Sequence, residues 1–320
     1  MLCLSIESTA HTFGIGVVNK NKILSNIKHS YTTKKGGIIP IEAAEHHKKI
    51  KELILKEALD VANVKIENID LIAFANAPGM GLCLKEGMFL AKDLSEKYNI
   101  PIMPIHHSVA HIEVGKFLTK AKNPVMLYAS GANTQIISFE GEKYRIFGET
   151  LDQGVGNFID SFGRYVGLGF PGGPKIDLLA KKSDNYIELP YSVKGMDVSF
   201  SGILTKLKQL WDTKKYKLED LSYSLQETAF SMLLEVSERA MAHTDKKELL
   251  LGGGVACNSR LKEMAKIMCK ERGAKCFIPE NQYLVDNGAM IGVAALKYYN
   301  KNKKYEIDIK PYQRIDEVNF

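Results

Sequence analysis

Apolar and small or polar residues alternate from Leu2 to Glu7, pause at Ser8–Thr12, and resume over Phe13–Asn19 and Ile23–Thr32. That period of two predicts three strands joined by short turns. From Pro40 to Ala62 the period lengthens. Ala43, Ala44, Ile50, Leu53, Ile54, Leu59 and Ala62 share one side, Lys48, Lys51, Glu52 and Lys56 the other, which predicts an amphipathic helix. A buried strand over Asp70–Ala75, a loop at Pro78-Gly79-Met80-Gly81 and a helix over Glu86–Tyr98 follow. Strands first and helices after suit a mixed sheet with helices on its faces.

The plan then repeats. Pro124–Ser130 is a strongly apolar strand ending in Ser130-Gly131-Ala132-Asn133-Thr134, with strands predicted over Gln135–Phe139 and Tyr144–Glu149. Next come a helical segment in Asp152–Arg164, a short helix over Lys175–Lys181, and a turn-rich excursion over Leu189–Gly202. Helices are predicted over Leu218–His243, Val255–Arg272 and Ala289–Tyr299, with a buried strand over Glu248–Leu251 and a polar, extended tail over 301–320. Asp286 or Asn287 is placed to cap the last helix. Each small-residue turn can offer N–H groups and hydroxyls to phosphate, from Ser8, Thr9 and Thr12 or from Ser130, Asn133 and Thr134. An ordinary hairpin explains either turn alone; their repetition is more specific. Gly252-Gly253-Gly254 lacks the spacing and following acid of a dinucleotide fingerprint.

Composition narrows the class. The 320 residues are 45% hydrophobic and 25% charged, an ordinary globular balance. No apolar run reaches membrane-spanning length and no signal-peptide pattern opens the chain, so a soluble, cytoplasmic protein is expected. Cys3, Cys83, Cys257, Cys269 and Cys276 form no C-x-x-C pair and read as reduced thiols. A net charge of +6 permits nucleic-acid binding without demanding it. Its clusters (Lys20–Lys22, Lys34-Lys35, Lys48-Lys49-Lys51, Lys301–Lys304) read as solvated faces.

The chemistry concentrates in Ile105-His106-His107-Ser108-Val109-Ala110-His111-Ile112-Glu113, where a strand end runs into a helix. His107 and His111 lie one helical turn apart on one face, as two ligands of a transition metal do. The pair alone reads equally well as ordinary polar residues. Ser108 stands where an HExxH protease carries its general base, so a metalloprotease is disfavoured.

Taken together, several segments resemble the tRNA threonylcarbamoyladenosine synthase catalytic subunit (TsaD/KEOPS family, archaeal and eukaryotic branch). They are Ile6–Thr12, Glu42–His47, His107–Glu113, Tyr128–Gln135, Gly148–Asp152, Phe170–Pro174, Val193–Asp197, Phe200–Gly202, Gly252–Asn258 and Asp286–Met290. The resemblance spans nearly the whole chain. It implies an α/β, bilobal actin-like ATPase fold of the acetate and sugar kinase, heat-shock protein and actin superfamily. The lobes expected are 1–122 and 123–320, with about 285–320 packing back across the cleft. The implied enzyme is a metal-dependent acyltransferase. It moves threonylcarbamoyl from threonylcarbamoyl-AMP to the exocyclic amine of the adenosine next to the anticodon in ANN-decoding tRNAs. A nucleotide-binding scaffold or a small-molecule phosphotransferase of the same superfamily is the alternative.

By the same resemblance, His107, His111, Tyr128 and Asp286 ligate one divalent metal, iron, with zinc as the alternative. Tyr128, Ala129, Ser130, Gly131, Ala132, Asp160, Gly173, Asp177 and Asn258 align with positions holding the adenine nucleotide and acyl substrate. No general base is assigned. Implied partners are tRNA, a small atypical protein kinase, a dimerising small subunit on the N-terminal lobe and a further small tRNA-binding subunit. The chain departs from the family at Ser8 and Ala132 (usually Gly), His106 (usually Asn), Asp177 (usually Glu) and the loop Ala75–Gly87, whose basic residue is Lys85 rather than Arg. All four ligand positions are intact, so activity is expected.

Overall fold

A computed structural model describes residues 1–33 and 37–319; the Lys34-Lys35 cluster lies outside the described residues. The chain forms two compact units. Residues 1–33, 37–118 and 286–319 make the first, and residues 119–285 the second.

In the first unit, β1 (Leu2–Glu7), β2 (Thr12–Asn19) and β3 (Ile23–Ser30) form an antiparallel meander, and β4 (Leu71–Ala77) and β5 (Ile102–His106) extend it in parallel. The strand order is β3-β2-β1-β4-β5. Helices α1 (Pro40–Ala62) and α2 (Gly81–Tyr98) bury Ile54, Leu55 and Ala58, and Met88, Ala91 and Leu94, with Leu4, Ile6, Phe13, Ile15 and Val17 of the sheet. Helix α1 keeps its expected bounds: Pro40 occupies the first turn, where a missing N–H costs nothing, and Asn63 turns left-handed (φ 52°) at its end. Helix α2 starts at Gly81 instead of Glu86, because Cys83 and Leu84 are buried and the Leu84 N–H donates to the Met80 carbonyl at 2.9 Å. Gly79 and Gly81 hide that start in the sequence. Helix α3 (His107–Thr119) follows β5 directly.

A later helix, Gly288–Tyr298, lies across β1 and β2 almost backbone to backbone. A Cβ on Gly16 would sit 2.5 Å from the Ala289 nitrogen, so only glycine fits there. Ser5 Oγ donates to the Gly288 carbonyl at 2.8 Å. The tail is tied to the end of β4: the Lys310 N–H donates to the Asn76 carbonyl (2.8 Å) and the Gly79 N–H to the Pro311 carbonyl (3.1 Å).

The second unit repeats the plan. Strands β6 (Val125–Ala129), β7 (Thr134–Glu140) and β8 (Lys143–Glu149) form the antiparallel meander. Helices α4 (Val155–Tyr165) and α5 (Gly173–Ala180), the hairpin β9 (Val193–Lys194) and β10 (Asp197–Val198), and helices α6 (Ser201–Asp212) and α7 (Leu218–His243) come next. Then β11 (Glu248–Gly252), α8 (Ser259–Glu271), β12 (Lys275–Phe277) and α9 (Asn281–Leu284) lead to α10, the Gly288–Tyr298 helix of the first unit. Sheet order β12-β11-β6-β7-β8 is the first unit's order read from the other edge. Two features differ from expectation. Helix α6 was hidden by the small and polar residues at its start. The helix expected over Val255–Arg272 is a short 3-10 turn, Gly254–Cys257, followed by α8; the Asn258 side chain divides them, accepting from the Arg260 and Leu261 N–H groups at 2.8 and 3.1 Å. Among the described residues, no helix is long and apolar enough to cross a membrane.

Candidate metal centre

The first unit gathers His107, His111 and Asp286, with one ligand atom of each within 4.8 Å of the others. His107 opens α3 where β5 ends, and His111 follows one turn later, so both rings reach the same face. Their centroids are 4.7 Å apart and their planes nearly perpendicular, at 79°. Asp286 Oδ1 lies 3.4 Å from His107 Nε2 and 3.3 Å from His111 Nε2. Asp286 is not the helix cap: Asn287 takes that role, accepting from the Met290 N–H at 3.1 Å. The aspartate is thereby left to face the imidazoles.

Behind His107 stands Glu7, fully buried at the end of β1. His107 Nδ1 donates to Glu7 Oε2 at 2.9 Å. Glu7 Oε1 accepts from the Thr9 N–H (2.7 Å) and hydroxyl (2.5 Å). Turning Nδ1 to Glu7 leaves Nε2 as the His107 nitrogen that faces Asp286, and Nε2 is the atom that would bind a metal once it has given up its proton. Burial holds the His111 imidazole below its ordinary pKa, the Asp286 hydrogen bond working against this and the His107 charge adding to it. Burial pushes the Asp286 carboxyl up, but the His107 charge and hydrogen bonds from both histidines outweigh it and hold the group well below the carboxylate range. Two imidazole nitrogens and one ionised carboxylate make a donor set that fits a first-row divalent metal.

The remaining sequence-predicted residues lie in the second unit. Tyr128, buried on β6, pairs in register with Gly252 and Gln135. The turn after it is closed by Ser130, whose N–H donates to the Asn133 carbonyl at 2.8 Å. The Gly156 and Asn157 N–H groups donate to the Ser130 and Gly131 carbonyls at 3.1 and 2.9 Å, joining the turn to the start of α4. Two glycines allow this approach. A Cβ on Gly156 would be 2.7 Å from Gly131 Cα, and Gly253 (φ +88°) brings the end of β11 against the Ala129 carbonyl. Asp160 Oδ1 accepts from the Gly172 and Gly173 N–H groups at 2.7 and 3.3 Å, fixing that turn. Asp177 pairs with Lys181 at 2.8 Å and accepts from Ser259 Oγ at 3.1 Å. Asn258 commits its carbonyl oxygen to capping α8. Ser8 packs its hydroxyl into the core, where a Cβ on Gly87 would come within 2.2 Å of Ser8 Oγ.

Residues 22–293 match the family described as tRNA N6-adenosine threonylcarbamoyltransferase. The chain belongs to this family. The threonylcarbamoyltransferase of Thermococcus kodakarensis is 52% identical, covering 99% of this chain and 98% of its own. A probable bifunctional tRNA threonylcarbamoyladenosine biosynthesis protein of Thermoplasma volcanium is 47% identical over the whole of this chain, which covers 61% of it. Among solved structures, the activator of 2-hydroxyisocaproyl-CoA dehydratase from Clostridium difficile, with bound ADPNP, aligns at TM-score 0.58 over 93% of this chain and 94% of that one. At 11% identity that likeness speaks for the actin-like fold alone. Two mixed-sheet lobes of one plan agree with it.

Sequence reading missed what Glu7 does in this threonylcarbamoyltransferase. A strand-end acid before a turn of small hydroxyls gives no local sign of its partner, which is His107, 100 residues away.

Proposed function

We propose that the chain transfers threonylcarbamoyl from threonylcarbamoyl-AMP to the exocyclic amine of the adenosine next to the anticodon in ANN-decoding tRNAs. Family membership supports the reaction class. The observation that carries the reading is the convergence of His107, His111 and Asp286, backed by Glu7. A scaffold or a phosphotransferase gains nothing from a buried imidazole pair facing a carboxylate.

In the transfer, the adenosine amine forms a bond to the carbamoyl carbon, the carbon–oxygen bond to phosphate breaks, and AMP leaves as the amine gives up a proton. Iron, with zinc as the alternative, would be held by His107, His111 and Asp286, with Tyr128 as a fourth ligand on the family resemblance. When bound, it supplies Lewis-acid polarisation of the threonylcarbamoyl group. Glu7 fixes the tautomer and ring plane of His107. Gly131 and Ala132 offer the adenylate two backbone N–H groups that make no hydrogen bond among the described residues. Asp160 keeps the Gly172-Gly173 turn in shape, and Asp177 and Asn258 border the same nucleotide surface. Positioning and fixed dipoles then carry most of the rate.

The enzyme works in the cytoplasm with KEOPS-type partners: a small kinase, a dimerising subunit and a small tRNA-binding subunit. The unmatched remainder of the bifunctional relative supports a partner domain. Leu53 and Val61 on α1 and Phe89 on α2 are 64%, 57% and 46% exposed, an apolar set suited to the dimerising subunit. Transfer of label from threonine into an ANN-decoding tRNA, with bicarbonate, ATP, the adenylate-forming enzyme and the partners supplied, tests the reading. Labelled tRNA is expected; none with the whole set present, or ATP-dependent phosphorylation of a small molecule instead, overturns it.

A further inference from the structure

The tail that follows α10 alternates with a period of two. From 305 to 315 the odd-numbered residues turn inward and the even-numbered ones are exposed. Ile307 and Ile309 pack against the core of the first unit, and Ile315 is buried. That is the pattern of an extended segment fitted to a surface along its length. The tail grips that surface in two places. At the end of β4, the Lys310 N–H donates to the Asn76 carbonyl at 2.8 Å, the Asn76 side-chain amide donates to the Asp308 carbonyl at 3.3 Å, and the Gly79 N–H donates to the Pro311 carbonyl at 3.1 Å. At the end of β5, His106 Nε2 lies 3.2 Å from the Gln313 carbonyl, which only accepts, so Nε2 donates.

Each grip lies a short step from His107. The loop held by Pro311 is pressed onto the turn after β1: the Met80 N–H donates to the Thr9 carbonyl at 2.8 Å, and a Cβ on Gly79 would sit 2.5 Å from that carbonyl oxygen. Thr9 gives its N–H and its hydroxyl to Glu7 Oε1 at 2.7 and 2.5 Å, and Glu7 Oε2 holds His107 Nδ1 at 2.9 Å. The other grip is on the residue directly before His107, where β5 runs into α3. The sheet itself does not need the tail here, because β4 is already paired with both β1 and β5. What the tail adds falls at the strand ends, where the brace and the ligand helix begin. We propose that residues 308–313 are a strap that positions the metal centre, with Lys310 and His106 as its two positioning residues. One grip sets His107 through Thr9 and Glu7, the other through the backbone of β5. The inference rests on the metal reading of His107, His111 and Asp286 given above. A ligating imidazole whose support loosens must be re-ordered on binding, and metal affinity falls.

Two variants of the whole chain release the grips one at a time, and either alone decides. Lys310→Pro removes the N–H given to Asn76, at an exposed position. His106→Phe keeps a buried ring and removes the N–H given to Gln313. Ser95→Ala loses a 2.7 Å bond to the Ile100 carbonyl in the last turn of α2 and controls for stability alone. The readout is the Zn(II) binding that disappears in His107→Ala/His111→Ala. It is expected to weaken about threefold to thirtyfold in Lys310→Pro and in His106→Phe, and to hold in Ser95→Ala. In the metal-free chain, the downfield Nδ1–H proton of His107, bonded to Glu7, is expected to move in Lys310→Pro and to stay put in Ser95→Ala. The β4 grip acts through Glu7, so on a Glu7→Gln background Lys310→Pro is expected to add less than about twofold. Wild-type Zn(II) affinity in both strap variants overturns the proposal and leaves a tail that only stabilises. Full additivity of Lys310→Pro with Glu7→Gln overturns it too. A wild type that binds no Zn(II) overturns the metal reading instead; the metal-free His107 signal then decides the strap, and a Lys310→Pro signal that stays put overturns it.

Discussion

Glu7 Oε2 lies 2.9 Å from His107 Nδ1, both groups buried, and this one hydrogen bond decides which nitrogen of His107 faces Asp286. A carboxylate behind a ligating imidazole raises its basicity and holds its orientation, worth about 10–100-fold in metal affinity. Glu7→Gln is therefore expected to weaken metal binding by about that factor while thermal stability changes little. Isothermal titration with Fe(II) or Zn(II) checks it. Unchanged metal affinity would leave Glu7 a structural residue only.

Asn287 and Asp286 have separate duties. Asn287→Ala removes the cap of α10 and is expected to cost about 1 kcal/mol, read by denaturant unfolding, with the metal stoichiometry intact. Asp286→Asn is expected to keep stability and lose metal.

Gly16 carries the close approach of α10 to β2. Gly16→Ala drives a Cβ into backbone and is expected to destabilise by about 1–3 kcal/mol. Gly37→Ala, with open space around the added methyl, is the control and is expected to stay within about 0.5 kcal/mol.

His47 predicts a pH dependence. Burial pushes its pKa down from 6.5 to about 4, only partly opposed by the hydrogen bond to the Ala10 carbonyl, with His46 and His11 lowering it further. The unfolded chain thus binds a proton between pH 6.5 and about 4 that the folded chain refuses. This contribution is absent above the unfolded value; stability falls as pH drops through that window, by about 1.4 kcal/mol per unit at most, and levels off below it. Unfolding midpoints of the wild type and His47→Gln across that range check it: the variant's curve is expected to be flatter.

Much of the architecture is legible in the chain because period alone carries it. Both strand meanders and helices α1 and α7 follow from alternation and amphipathicity. Glycines hide the early start of α2, and Asn258 divides what reads as one helix, because capping overrides an otherwise continuous pattern. The site divides the same way. His107 and His111 announce themselves by i, i+4 spacing. Asp286 reaches them from 175 residues beyond His111, and no local pattern records that distance; motif resemblance supplied it. Glu7 sits in a plain strand end, and only folding reveals that β1 and β5 deliver their ends to one place.

The central claim is that His107, His111 and Asp286 hold the metal that transfer requires. The most direct test is label transfer to an ANN-decoding tRNA by the complete set, comparing native, chelated and metal-reloaded enzyme with the His107→Ala/His111→Ala double variant at matched thermal stability. The account predicts loss on chelation, recovery on reloading, and no recovery in the double variant. Full transfer by the double variant, or by the chelated enzyme, would contradict it.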